Sequence, residues 1–384
     1  MHVTLCDPKS AHPEALCHAA DEEQRASGDL AAVMDIILGS PINLLLVCVP
    51  LAFASGIYSW GPVWTFSLNF VSLIPLALIL GDVTEDLALR FGDVIGGLLN
   101  ATFGNIVEII LSVAALERGL YTVVATSLLG SILSNLLLVL GCCFWFGGMY
   151  YKTQTFSMVS NRTCSALLFL SVIGIILPTC ASTMLHMDAD QTLYISRGTS
   201  VILLTCYISY LVFQLYTHIG LFKASDEESE QPVLSLPVAI TMLTAITVIV
   251  AFASEFLTGS IEEVSEATGL GQAFLGMIVL PIAGNACEHI TAIIVAMKNK
   301  MDLALGVAVG SSIQIALFAI PFVVVVAWAQ GLPFSLVFDP FSALALALSV
   351  IHANNVTADA ISHWLLGVQL VAVYVIIAYT YLFR

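Results

Sequence analysis

The sequence predicts an all-α polytopic membrane protein: eleven transmembrane helices, one extra helix followed by two five-helix repeats of inverted topology. Three observations carry this. The 384 residues are 59% hydrophobic and only 10% charged, whereas a soluble globular domain is nearer one quarter charged. Apolar stretches of about twenty residues, the length that spans a bilayer, recur along the chain. One short motif also occurs twice at a fixed spacing.

Residues 1–35 read as a polar cytoplasmic tail of mixed sign. No apolar core follows a basic start, so the tail does not resemble a signal peptide. The segment 36–57 is then expected to direct insertion and to form the extra N-terminal helix. Residues 58–222 make the first five-helix repeat, with apolar segments at 63–84, 93–117, 121–145, 163–181 and 197–217. Residues 223–233 are an acidic linker around Asp226-Glu227-Glu228-Ser229-Glu230, expected to be a solvated connection. Residues 234–384 make the second repeat, with segments at 236–257, 272–297, 302–328, 335–352 and 362–383. Asp339 and Pro340 interrupt the tenth of these.

A net charge of −16 excludes nucleic-acid binding, which needs a basic surface. Lys and Arg concentrate in cytoplasmic loops. A cytoplasmic N-terminus places eight of them (Lys9, Arg25, Arg90, Lys152, Arg162, Lys223, Lys298, Lys300) on that side and three (Arg118, Arg197, Arg384) on the other. This orientation puts the acidic linker in the cytoplasm and the C-terminus on the far, lumenal side. The nine cysteines are scattered without a C-x-x-C pair. They read as small hydrophobes rather than a disulfide framework.

The duplication is explicit in the residues. Gly104-Asn105-Ile106-Val107-Glu108 reads against Gly284-Asn285-Ala286-Cys287-Glu288, and Gly130-Ser131 against Gly310-Ser311, both pairs 180 residues apart. Thr84-Glu85 and Ser254-Glu255 form a looser third match, 170 apart. A five-span unit crosses the membrane an odd number of times, so its copy enters from the opposite side. Such inverted repeats are typical of secondary transporters, with the site near the midplane where the copies meet.

Glu108 and Glu288 fall near the middle of apolar segments, where a carboxylate is costly and marks function. Asn105 and Gly104 lie three and four residues before Glu108, on its helix face; Asn285 and Gly284 stand the same way to Glu288. Glycine and asparagine favour a local break, which frees backbone oxygens where they line a cavity. Two carboxylates, two amide oxygens and some main-chain carbonyls form an all-oxygen set of the kind calcium takes, with about six to eight ligands. His289, where the first repeat has Ile109, suits a proton relay, a site softened toward manganese or a structural hydrogen bond. Ser134 and Gln314, in matched positions, suit cavity lining or helix–helix hydrogen bonding. Glu85 and Glu255 stand at opposite mouths of the pathway, as cation guides or as interfacial carboxylates. Asp82, Asp86, Asp93, Glu262, Glu263 and Glu266 are placed in short loops, making the vestibules negative.

The stretch Thr84-Glu85-Asp86-Leu87-Ala88 through Gly97-Leu98-Leu99-Asn100-Ala101-Thr102-Phe103-Gly104-Asn105 resembles the first repeat of the calcium/proton exchangers, the vacuolar cation exchanger family. So do Gly284 through His289, Lys298-Asn299-Lys300-Met301-Asp302, and Val309-Gly310-Ser311-Ser312-Ile313-Gln314-Ile315. Phe213-Gln214-Leu215-Tyr216-Thr217-His218 looks like the fungal branch. The resemblance implies eleven spans, an acidic linker and calcium loading of a vacuole driven by its proton gradient. It implies cation binding by Glu108 and Glu288, with Glu85, Glu255 and His289 along the pathway. Calcium, or manganese, is then cargo and H+ the counter-ion, with no enzymatic activity and no cofactor. The chain departs from the family where Ala360 and Leu366 stand in place of a frequent glycine and acidic residue. A sodium/calcium exchanger, the nearest alternative, carries Ser or Thr and Pro before the glutamate; here asparagine stands there and no proline adjoins Glu108 or Glu288. A zinc hydrolase would need H-E-x-x-H, which Glu288-His289 does not supply. An open channel is the third alternative, and inverted repeats with protonatable midplane ligands favour alternating access over it.

Overall fold

The computed structural model describes residues 28–221 and 231–384. The tail before residue 28 and the acidic run 226–230 lie outside the described residues. The chain folds as a bundle of helices in this order: α1 (Gly28–Leu38), α2 (Pro41–Ile57), α3 (Pro62–Gly92), α4 (Val94–Phe103), α5 (Ile106–Glu117), α6 (Tyr121–Tyr150), α7 (Met158–Met184), α8 (Ala189–Thr217), α9 (Leu236–Gly259), α10 (Ile261–Thr268), α11 (Gln272–Gly284), α12 (Ala286–Met297), α13 (Met301–Ala329), α14 (Pro340–Thr357) and α15 (Trp364–Leu382).

By length and composition seven helices can cross a membrane, and up to ten segments if each bent pair counts as one span. The bent pairs are α1 with α2 (92°), α4 with α5 (40°) and α10 with α11 (118°). The tenth apolar segment read from the sequence, 335–352, is extended up to Asp339 and helical from Pro340 to Thr357. It falls short of the other spans because His352, Asn354 and Asn355 dilute the apolar character of α14. Proline at its N1 position costs no hydrogen bond, and the Asp339 carboxylate caps it by accepting from the Ser342 amide at 3.0 Å.

Burial separates inner helices from outer ones. The apolar window of α6 is 83% buried, against 22% for α8. The exposed faces of the outer helices carry large hydrophobes such as Ile173, Leu177, Ile202 and Ile376, a surface made for lipid rather than water.

The two halves run through the same element order. α6 begins at Tyr121 and α13 at Met301, 180 residues later. Each contains a π-helical turn at the same point, Ser134–Val139 and Ile315–Ala319. Such turns insert one residue into the helical ladder and concentrate at functional positions. The halves differ at their first turn: Gly92, at φ 73°, joins α3 to α4 directly, whereas the eight-residue α10 intervenes between α9 and α11.

The connections tie together in two separate groups. In the first, the Asp86 carboxylate accepts from the Val233 and Leu234 amides, and Asp29 accepts from the Ser235 amide at 2.7 Å. The Gln154 amide there donates to Asn299 Oδ1 at 3.0 Å, and the Ser157 amide to Asp302 at 2.7 Å. A two-residue antiparallel pair, β1 (Gln154–Thr155) with β2 (Ile361–Ser362), joins this group and is the one strand pairing among the described residues of a helical fold. In the second group, Arg118 pairs with Glu255, Gln330 donates to Glu117, and Arg384 pairs with Asp339.

Candidate cation site

Both motifs break a helix. Asn105 (φ −115°, ψ 22°) separates α4 from α5, and Asn285 (φ −90°, ψ 19°) separates α11 from α12. Each asparagine occupies the residue before a new helix, and Glu108 and Glu288 fall in its first turn. A helix N-terminus presents unpaired amides and the positive end of the dipole, which offsets part of the cost of holding a carboxylate at depth. The main-chain oxygens of the two asparagines are engaged: Ile109 donates to Asn105 O at 3.1 Å and His289 to Asn285 O at 3.0 Å. The expected spare carbonyls are not these two.

The two halves interlock at the breaks. The Asn105 side-chain amide donates to Gln314 Oε1 on α13. The Asn285 amide makes a long 3.5 Å contact to Ser131 O on α6. His289 Nδ1 lies 2.7 Å from Asn285 O, so this nitrogen carries a hydrogen, because a carbonyl can only accept. Its Nε2 then accepts from the Ser134 hydroxyl at 3.1 Å. Gly284 packs close to the first glutamate: a Cβ there would stand 2.7 Å from Glu108 Oε1, the movable end of that side chain. α11 thus passes directly over the carboxylate carried by α5.

Buried polar atoms normally find a partner, yet five oxygens here have none. They are Glu108 Oε1 and Oε2, Glu288 Oε2, Asn105 Oδ1 and Asn285 Oδ1. Both glutamates are more than nine-tenths buried, at 5% and 8% exposure. Buried acceptor oxygens without donors are the kind of ligand that a hard cation such as calcium takes. Among the described residues no three His, Cys, Asp or Glu side chains cluster to hold a metal, so the two carboxylates alone would not complete a coordination shell.

A cavity of about 370 Å³ runs past Asp82 and Glu85 to Gly104, Gly284, Glu288 and Gln314. Glu108 borders a small void of about 10 Å³ instead, with Ser112 and Pro281. Glu255 is remote from both. It lies in a separate cavity of about 440 Å³ with Arg118 and Glu263, which neither motif glutamate lines. Asp82 and Asp86 are on helix α3, and Glu262, Glu263 and Glu266 are on α10, so these acidic residues are not in loops. Asp82 borders the 370 Å³ cavity and Glu263 the 440 Å³ one, while Asp86 is held by the Val233 and Leu234 amides. Sequence reasoning passed over three pathway neighbours. Asn100 and Thr291 line the large cavity, and Arg118 meets Glu255. Thr291 stands three residues after Glu288, a helical spacing that could have flagged it; nothing local marks Arg118.

The sodium/calcium exchanger protein profile matches this chain twice, over residues 61–216 and 238–383. The vacuolar calcium ion transporter of Schizosaccharomyces pombe is 42% identical over 354 residues, spanning 91% of this chain and 86% of that protein. The Ca(2+)/H(+) antiporter of Synechocystis is 40% identical over 359 residues, 89% of this chain and 96% of that one. The solved structure of native YfkE superposes with a TM-score of 0.79 at 36% identity, covering 89% of this chain and all of YfkE.

Proposed function

This chain belongs to the sodium/calcium exchanger protein family, and we propose that it exchanges calcium for protons across an organellar, vacuolar membrane. The observation that carries this reading is the set of five buried, partnerless oxygens on Glu108, Glu288, Asn105 and Asn285. Relatives that are a vacuolar calcium ion transporter and a Ca(2+)/H(+) antiporter support the choice of ions and compartment. The family is one of exchangers rather than enzymes, and the reaction needs no cofactor, only calcium, protons and a bilayer.

We assign eleven spans: α2, five in each half, and α14 among them. The halves are inverted repeats. Support comes from the two profile matches, the matched breaks at Asn105 and Asn285, and the two separate groups of tied connections. Each group joins ends that an eleven-span topology puts on one face. With the N-terminus cytoplasmic, the 370 Å³ cavity faces the cytoplasm and the Arg118–Glu255 pair faces the lumen. The molecule is then caught with Glu288 open to the cytoplasm, one state of an alternating-access cycle.

Coupling follows from charge. Two ionised carboxylates without a cation are the costly condition inside a bilayer. Calcium neutralises them and so do two protons, but the two cargoes cannot share the same oxygens. The protein crosses between conformations in either neutralised condition and stalls in the ionised, metal-free one. Glu85 collects cations at the cytoplasmic mouth. His289 and Gln314 hold the asparagines on which the shell depends.

The test is uptake by purified protein in sealed vesicles with an imposed pH gradient, assayed for calcium, manganese and sodium. Calcium uptake should need the gradient and proceed without sodium. Uptake driven by a sodium gradient alone would establish the sodium/calcium alternative. Manganese carried as well as calcium would make this a broad divalent exchanger.

A further inference from the structure

The first helix meets its neighbour at a right angle: α1 turns by 92° into α2 across Gly39 and Ser40. The elbow is braced. The Asn43 side-chain amide donates at 3.0 Å to Ile36 O, one of the carbonyls left free at the end of α1. The Ser40 hydroxyl accepts from the Ile42 amide at 3.3 Å. At about 100° per residue, α1 divides into three faces about a third of a turn apart. Asp29, Ala32, Val33 and Ile36 face the bundle. Ala32 is buried, and Val33 and Ile36 pack against the core. Asp29 accepts from the amide and the hydroxyl of Ser235, the residue before α9. Leu30, Met34 and Leu38 form the second face with Ile37 beside them, and are 65%, 46% and 67% exposed. Asp35 stands exposed on the third.

We infer that α1 is an interfacial strap: its Leu30–Met34–Leu38 face lies in the cytoplasmic leaflet of the bilayer, and Asp29 fastens it to the start of α9. A helix at a right angle to a span runs along the membrane surface. With the bundle on one side, the directions left are lipid and water, and the faces left are apolar and acidic. Interfacial helices bury such an apolar face about 5–10 Å deep, at the boundary of headgroups and acyl chains. The first turns of α2 carry exposed Leu44 and Val47, so apolar surface continues into the span. Both charges of α1 are acidic, so the strap suits neutral headgroups rather than anionic ones. The Asp29 carboxylate also meets the positive end of the α9 dipole. One short helix thus holds together the membrane surface and the point where the chain re-enters after the acidic linker. The inference rests on α2 crossing the bilayer, but not on which ion is carried.

The test places one bimane-labelled cysteine in the full chain, its own cysteines replaced, in phosphatidylcholine vesicles. A spin-labelled lipid quenches from the acyl region and iodide from the water. Bimane at Met34→Cys should be quenched by the lipid as strongly as at Leu44→Cys, and by iodide about threefold less than at Asp35→Cys. Iodide reaching position 34 as freely as position 35 would overturn the inference. So would neither quencher reaching position 34, which would mean that protein, a second copy included, covers the face. Absence of lipid quenching at Leu51→Cys, in the middle of α2, would overturn the span and the strap together, whereas failure at position 34 alone leaves the span standing. The fastening is read by hydrogen exchange of the amides at 235–239. It should rise about tenfold in Asp29→Ala, and also when Met34→Glu and Leu38→Glu together lift the strap from the lipid, while Met34→Ile should leave it unchanged. A rise in Asp29→Ala alone would show that lipid plays no part in holding α9 and would overturn the strap.

Discussion

Glu108 and Glu288 occupy the same place in the same motif, yet their surroundings differ. Glu108 lies beneath Gly284 beside a void of about 10 Å³, while Glu288 borders a cavity of about 370 Å³. The asparagines differ in the same sense: Asn105 bonds a side chain of the other half, Asn285 a main-chain carbonyl at long range. On the alternating-access reading proposed above, the half that is closed here would become the open one when the halves exchange conformations, and the asymmetry would belong to the state rather than to the residues.

The largest effect should erase the comparison. Glu108→Gln and Glu288→Gln each keep volume and one oxygen but lose the charge and the exchangeable proton. Calcium uptake in vesicles should fall to background in both, despite the different cavities they border, while the protein still reaches its membrane. Near-normal uptake in either would remove that residue from the site. Glu85→Gln and Glu255→Gln should retain a measurable fraction of uptake.

Acidification should act on both glutamates together. Protons and calcium compete for one set of oxygens. Apparent calcium affinity of the purified protein, measured without a gradient, should therefore fall steadily as the medium is acidified. Calcium addition should also release protons into weakly buffered solution. An affinity independent of pH, with no release, would break the proposed coupling.

The paired glycines sharpen the contrast on a smaller scale. A Cβ at Gly130 would stand 2.2 Å from the main-chain oxygen of Met277, whereas the space beside Gly310 is open. Gly130→Ala should cost about 1–3 kcal/mol through forced backbone shifts. Gly310→Ala should be neutral or gain about 0.5–1 kcal/mol from helix propensity. Thermal unfolding in detergent orders the two, and equal destabilisation would mean that this packing difference does not exist.

The smallest effect concerns Ala360, at φ +54°, where the sequence resemblance pointed to a frequent glycine. The left-handed conformation costs a non-glycine residue about 1–2 kcal/mol. The greater entropy of an unfolded glycine returns part of this. Ala360→Gly should stabilise by about 0.5–1 kcal/mol in the same assay, and a loss of stability would show that the turn is not strained.

What could be read from the residues was whatever repeats or has a period. The apolar segments, the paired Gly-Asn breaks and the buried glutamates announce themselves, because a charge or a helix breaker inside an apolar run has no neutral explanation. The Arg118–Glu255 pair does not, since 137 residues separate its members and each alone looks like an interfacial charge. The strand pair at Gln154 and Ile361 is too short to have a period. The true reach of α3, through Asp82, Glu85 and Asp86 to Gly92, was hidden because a helix facing a wet cavity loses its apolar signature. α14 blurred for a related reason, with His352, Asn354 and Asn355 gathered in its second half.

The partnerless oxygens have a consequence in the language of hydration. Magnesium gives up water reluctantly and demands a tight octahedron at about 2.0–2.1 Å, while calcium tolerates irregular oxygens at about 2.3–2.6 Å. A calcium site divided between two halves of a protein, as proposed above, would therefore sort two ions of equal charge by how firmly each holds its water. Excess magnesium should leave calcium uptake nearly unchanged, and strong competition would mean that the oxygens can close into a tight octahedron.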